Sequence, residues 1–348
     1  MKMLAVALAA LSALATPARA QTRLFSDNTP IAISISAPMT TLIHRAIRST
    51  DPFPGSLTLE GEANAFPLQI SARGMSRRVG GICSFPPIKL DFQTPTLAGT
   101  LLEGQGGLKL VDPCQPGQSY EQLVVLEYLA YRLYNVITPV SYRVRAVRVT
   151  FHDSDGHRGD DTHFGYLIED VHDVAHRNHL HELHLGSNGL SAAQLDGTAA
   201  SREALFEYMI SNLDWDPLSA QQGGTCCHNS KLLALDANAP SAAAPVPYDF
   251  DYSGLVNAPY AVPPERLPVY NVRTRYFRGY CRFNPELAGV ISEYQAHKAD
   301  LFAVIDNEPA LIESRKRDAH AYLQQFFDIL DNPAAVQSNL SGHCRAGH

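Results

Sequence analysis

Long apolar runs, basic clusters and the best-known catalytic signatures are missing from most of this chain, and each absence narrows what it does. Past residue 20 no stretch approaches the roughly 20 continuous apolar residues that a membrane-spanning helix needs. Lysine and arginine total 28 against 35 acids, a formal net charge of -7, and no basic run exceeds the three residues 315–317. A chain of that balance has no electrostatic pull toward nucleic acid or anionic lipid. No G-x-S-x-G elbow, H-E-x-x-H helix or C-x-x-C pair is present, so the main serine-hydrolase, zinc-protease and thioredoxin-like chemistries lack support. There is no internal repeat, and Trp215, the one tryptophan, reads as a packing residue.

The first twenty residues, "MKMLAVALAALSALATPARA", join an early lysine, a short Leu/Ala/Val run and a small-residue exit. This predicts a secretory signal peptide cut after Ala20, and hence an exported protein, periplasmic or secreted, with no transmembrane segment. All six cysteines, Cys83, Cys114, Cys226, Cys227, Cys281 and Cys344, lie beyond the cut. In an oxidising compartment an even count favours at least two disulfides. Locality pairs Cys83 with Cys114; Cys226 and Cys227 are expected to bond different partners, since a bridge between neighbours is strained.

Residues 30 to 92 alternate apolar and polar positions in "IAISISA", "SLTLEG", "FPLQISARG" and "PPIKLDF", punctuated by Gly and Pro, which is a strand-and-turn pattern. "YEQLVVLEYLAYRLYNVI" has helical spacing, with Pro139 beyond its end. Two strands around a polar turn follow, then a helix over 201–213 and two amphipathic helices at about 285–306 and 308–330. The expected organisation is a signal peptide at 1–20, a strand-rich region with one packed helix at 21–170, and a helical region at 171–348.

The helical region carries two acidic stretches, "SNLDWDPLSAQQGGTCCHNSKLL" and "VPYDFDYSG", which set Asp214, Asp216, Asn229, Asp249 and Asp251 among Leu213, Trp215, Tyr248 and Phe250. An unpaired buried carboxylate is costly, so something must hold these charges. Phosphoryl transfer uses such groups: one carboxylate for the acceptor hydroxyl, and oxygen ligands for a cation between the phosphates. Protein kinases place an Asp, an Asn a few residues on, and a second Asp later. The analogous set here is Asp214, Asn229 and Asp249, with Asp251 holding a second ion or fixing the loop.

"ARGMSRR" followed by "PPIKLDF", then "GYLIED", "NLDWD" with "HNSKLL", and "VPYDFDYSG" resemble, in that order, the motifs of the CotH-type spore-coat kinase family, a divergent branch of the protein-kinase-like fold. The similarity spreads over roughly residues 65 to 255. It implies an α+β, two-lobed protein-kinase-like fold with a strand-rich N-terminal half and a helical C-terminal half. It further implies Asp214 as the catalytic aspartate, Asn229 and Asp249 as metal ligands with Asp251 beside them, and Arg73 and Lys89 approaching phosphate. Glu169 would sit near the nucleotide pocket. The glutamate that pairs with a lysine would be Glu121 or Glu127, with Glu127 preferred because it lies inside the helix. ATP and Mg2+ (or Mn2+) are the implied cofactors, and a protein hydroxyl the acceptor. The chain departs from the kinase pattern in two ways. Fifteen positions separate Asp214 from Asn229, against five in the H-R-D-x-x-x-x-N pattern, and no G-x-G-x-x-G precedes Lys89.

Plainer readings stand beside these. Asp214 and Asp216 can serve as turn residues, Lys89 as a solvated strand residue, and Asp214 with Asp249 as a glycosidase pair. His172, His176, His179, His181 and His184 crowd one segment, but no cysteine or paired carboxylate completes a closed metal site. "HDSDGHRGDD" lacks the EF-hand order and reads as a hairpin turn. An exported kinase also meets little ATP, which keeps a second function open: a non-catalytic envelope or surface assembly protein with a structural cation site.

Overall fold

A computed structural model describes residues 23–62, 64–74, 76–79, 81–187, 189–220, 224–238 and 241–346; the expected signal peptide lies outside them. Alternation does its work from the first strand. In β1 (Ile31–Ala37) Ile33, Ile35 and Ala37 are buried while the serines between them are half-buried. The chain continues through α1 (Met39–Ala46), β2 (Phe53–Leu59), β3 (Ala65–Ala72), a single turn α2 (Ser76–Val79), β4 (Ile88–Phe92), β5 (Gly107–Val111), the long α3 (Gln118–Ile137), β6 (Val144–Asp153) and β7 (Asp161–Ile168).

These seven strands do not form the expected lobe. They close into a mixed barrel in the order β1-β2-β3-β4-β5-β7-β6, so the two-lobed protein-kinase-like fold is corrected to a closed seven-stranded barrel plus helices. The reason lies in β1, whose two edges are both paired. Ile33 sits opposite Leu59 of antiparallel β2 on one side and Val149 of parallel β6 on the other. Alternation reports only that one face is buried, which open and closed sheets share; closure depends on a pairing across more than a hundred residues.

The barrel interior is packed with Ile33, Ile35, Leu57, Ile70, Leu90 and Leu110, among others. The outward residues Phe164, Tyr166 and Ile168 of β7 join a second core with α3. That core extends through α5 (Gly197–Ile210), α6 (Asn284–Ala296), α7 (Lys298–Asp306) and α8 (Glu313–Leu330). In chain order α4 (Val171–Arg177) and β8 (His181–Glu182) precede α5, β9 (Ser230–Ala234) and β10 (Ala244–Pro247) follow it, and α9 (Pro333–Val336) comes after α8. Strands β10, β9 and β8 form a small sheet of their own.

Several expected elements move. The helix expected at 285–306 breaks at His297. The next begins at Glu313 rather than 308, because the Glu308 carboxylate caps the Ala310 amide in a turn and Ile312 is extended. The acidic stretch at 153–161 is a hairpin turn, as read. Asp153 accepts hydrogen bonds from the amides of Thr40, His157 and Arg158.

Three disulfides are present: Cys83–Cys114, Cys226–Cys227 and Cys281–Cys344. The first matches the pairing expected from locality. The second corrects the expectation of different partners: the other four cysteines are paired among themselves, and a cis peptide brings the two Cα atoms to 2.9 Å. Three disulfides are compatible with an exported protein. Among the described residues no helix is long and apolar enough to cross a membrane.

Candidate metal and phosphate site

The site is assembled by a hairpin, a helix and the turn after α5. Strands β9 and β10 pair with Ser230 opposite Pro247, so the residue before β9, Asn229, meets the residues after β10. The Tyr248 amide donates to the Asn229 carbonyl at 3.0 Å. Asn229 and Asp249 both take left-handed backbone, φ 50° and 66°, a conformation in which Asn and Asp are the most tolerant non-glycine residues. Antiparallel pairing thus brings together two groups twenty positions apart.

Asp214 is placed by a different device. Helix α5 ends at Ile210, not at 213 as expected, because Ser211 turns left-handed and its hydroxyl donates to the carbonyls of Val272 and Thr274. The Asn212 side chain then accepts from the Asp214 amide, an Asx turn. Asn229 Nδ2 donates to the Asp214 carbonyl at 2.7 Å and to its Oδ2 at 3.1 Å, and His228 Nε2 lies 2.7 Å from Oδ1. Fourteen residues lie between Asp214 and Asn229, and backbone bonds between Asp216 and His228 close the base of that segment. Asp216 faces away from the site, where Arg345 and Arg278 neutralise it at 3.1 and 3.5 Å.

On α3, Glu127 and Tyr131 are one turn apart and share a face. The Asp249 amide donates to the Tyr131 hydroxyl at 2.9 Å, and carboxylate oxygens of Glu127, Asp249 and Asp251 lie within 4.8 Å of one another. Among the described residues this is the one group of three His, Cys, Asp or Glu side chains close enough to share an ion. Glu127 is 2% exposed and the Asp251 side chain 7%, whereas that of Asp249 is 45% exposed, so the cluster opens to solvent on the Asp249 side. Burial, then the charge of Asp251, pushes the Glu127 carboxyl well up. Burial likewise raises Asp251, against the pull of Arg77. The Tyr260 hydroxyl donates to Asp251 at 3.1 Å.

Arg77 of α2 reaches the same cluster, 3.5 Å from Asp251 and 4.0 Å from Asp249. One guanidinium against three carboxylates leaves negative charge uncompensated. An all-oxygen donor set of that kind fits a hard divalent cation such as Mg2+ or Mn2+.

The other expected site residues are held by contacts of their own. Lys89 is exposed on β4, paired with Asp91 at 2.7 Å. Arg73 donates to the Ile88 carbonyl at the end of β3. Glu169 is buried and saturated, holding Arg177 through two bonds of 3.0 Å and accepting from the Arg143 amide. Glu121, the other glutamate considered on α3, accepts from the Phe164 amide. His172, His176, His181 and His184 line a cavity of about 1120 Å3 with Glu169, Asp173 and Glu182.

Three functional candidates escaped sequence reading. Arg77 sits in the quoted "ARGMSRR" but looks no different there from Arg73 and Arg78. Lys109, opposite Lys89 across β4 and β5, stands 5.9 Å from the Tyr248 ring centre and within the fields of Arg73 and Asp249. The alternation in "GLKLV" was the signal available for it. His228 adjoins Asn229 and could have been found from that adjacency. Comparison with protein-family models and with curated proteins finds no match to this chain.

Proposed function

We propose that the protein is a metal-dependent phosphotransferase that moves the γ-phosphoryl group of ATP to a protein hydroxyl, and that its motif order relates this site to that of CotH-type kinases. The observation that carries the reading is the cluster of Glu127, Asp249 and Asp251 within 4.8 Å, next to an Asp214 carboxylate held by Asn229 and His228. Glu127, Asp249 and Asp251 would hold Mg2+ or Mn2+, which supplies charge neutralisation for the β- and γ-phosphates. Asp214, 37% exposed at its side chain, has an oxygen for the acceptor hydroxyl, and His228 and Asn229 fix its orientation. Arg73 and Lys109 add positive charge from the barrel side.

A second reading, a non-catalytic exported assembly protein with a structural cation site, draws on Arg77. Its guanidinium already partly neutralises the cluster, as a purely structural ion pair would. Calorimetric titration with Mg2+ and ATP separates the two. Under the phosphotransferase reading the protein binds Mg-ATP, and Asp249→Ala, confirmed folded by thermal melt, loses most of that affinity. Cation binding without any nucleotide binding favours the structural reading.

A further inference from the structure

The loop that presents Asp214 is braced from behind by a segment more than a hundred residues away. Residues 341–346 are fastened to the turn before α6 by the Cys281–Cys344 disulfide. Backbone bonds add to it: the Arg345 amide donates to the Gly279 carbonyl at 2.9 Å, and the Cys281 amide to the Arg345 carbonyl at 3.0 Å. Asn284 Nδ2 donates to the Ser341 carbonyl at 3.0 Å. So held, the Arg345 guanidinium lies 4.0 Å from the Tyr280 ring centre and 5.6 Å from that of Trp215. Its Nη1 donates to Asp216 Oδ2 at 3.1 Å.

Asp216 relays that contact into the site. Its other oxygen accepts from the Leu218 and Ser219 amides. Its backbone exchanges two hydrogen bonds with His228, the residue whose ring meets Asp214 at 2.7 Å. Arg278 holds the same loop through the carbonyls of Leu213 and Trp215, but it reaches Asp216 only at 3.5 Å. Removing Arg345 therefore leaves a buried carboxylate with its two amide bonds but only one distant cation, a costly state that the loop would relieve by opening.

We propose that Arg345, delivered by the Cys281–Cys344 strap, is a positioning residue for the Asp214 loop, acting through Asp216 and His228. Its effect on the loop stands on geometry alone; its effect on transfer rests on the phosphotransferase reading.

Hydrogen exchange by mass spectrometry tests the proposal on the whole protein. The variants are Arg345→Gln, Arg345→Lys and the paired Cys281→Ser and Cys344→Ser. In Arg345→Gln and in the double serine variant, exchange in peptides covering 212–219 and 226–229 should rise by about tenfold or more. In Arg345→Gln barrel peptides from β6 and β7 should be unchanged, and Arg345→Lys should restore part of the protection. Mn2+ affinity at Glu127, Asp249 and Asp251 should stay within about twofold, since those residues sit on other elements. With ATP, kcat should fall while the nucleotide KM holds. Unchanged exchange in the loop peptides of Arg345→Gln, or an equal rise across its barrel, would overturn the proposal. A wild type without transfer activity would overturn the phosphotransferase reading and leave the exchange result to decide this one.

Discussion

Asp214 and Asp249 sit in one site under different constraints, and substitutions should separate them. Asp214 is held by Asn229 and His228 and is not part of the carboxylate cluster. Asp214→Asn should therefore lower phosphoryl transfer by about 10²-fold or more, leaving Mg-ATP affinity within a few-fold; single-turnover kinetics beside calorimetry would show the split. Glu127 should report through pH. Burial and the charge of Asp251 raise it, and burial raises Asp251, so protons compete with a cation for the cluster near neutrality. Cation affinity should tighten as pH rises between about 6 and about 8. Glu127→Gln should weaken binding and flatten that dependence, read by Mn2+ titration across the range. At this scale much was legible, because acids beside Trp215 and Phe250 demand partners. The partners were less so: Arg77 is one of several arginines in its stretch, and Lys89 and Lys109 are both alternating strand lysines that only a fold can tell apart.

Two elements decide where those residues land. The β9–β10 hairpin sets Asn229 beside Tyr248, and α5 carries two buried acids beneath the Asp214 loop. Glu203, fully buried, accepts from Ser230 Oγ at 2.7 Å; Glu207, 1% exposed, is also raised, by burial and then by Glu203. Burial pushes Glu203 from the ordinary 4.5 to about 8. The folded state then binds more protons than the unfolded one between those values. The stabilising contribution is full below about 4.5 and is lost as pH rises toward about 8. Thermal melts should show Tm falling over that window, and falling less in Glu203→Gln, whose amide does not titrate. The sequence announced α3 and α8 by period and the strands by alternation. It did not announce the end of α5 at Ile210, which hangs on hydrogen bonds from Ser211 to Val272 and Thr274, partners sixty residues away. Nor did it show the break at His297, where the apolar period runs on.

At the scale of the whole molecule, closure and crosslinks dominate. Seven strands leave β1 without a free edge, and the Cys281–Cys344 bridge spans 63 positions. By the chain-entropy relation, loss of that bridge should cost about 4 kcal/mol. The Cys226–Cys227 bridge spans one position, encloses almost no loop, and should cost far less by the same relation. Denaturant unfolding of the paired serine variants orders the two. Barrel closure was hidden in the sequence because β1 and β6 meet across more than a hundred residues, and no local period records such a pairing.

The account depends most on transfer itself. Purified protein incubated with γ-labelled ATP and Mg2+ or Mn2+, beside a folded Asp214→Asn variant, measures it directly. The account predicts that wild type incorporates label into itself or an added protein acceptor, that metal chelation abolishes this, and that the variant incorporates about 10²-fold less. Equal label in wild type and variant, or none in wild type under either metal, would contradict it.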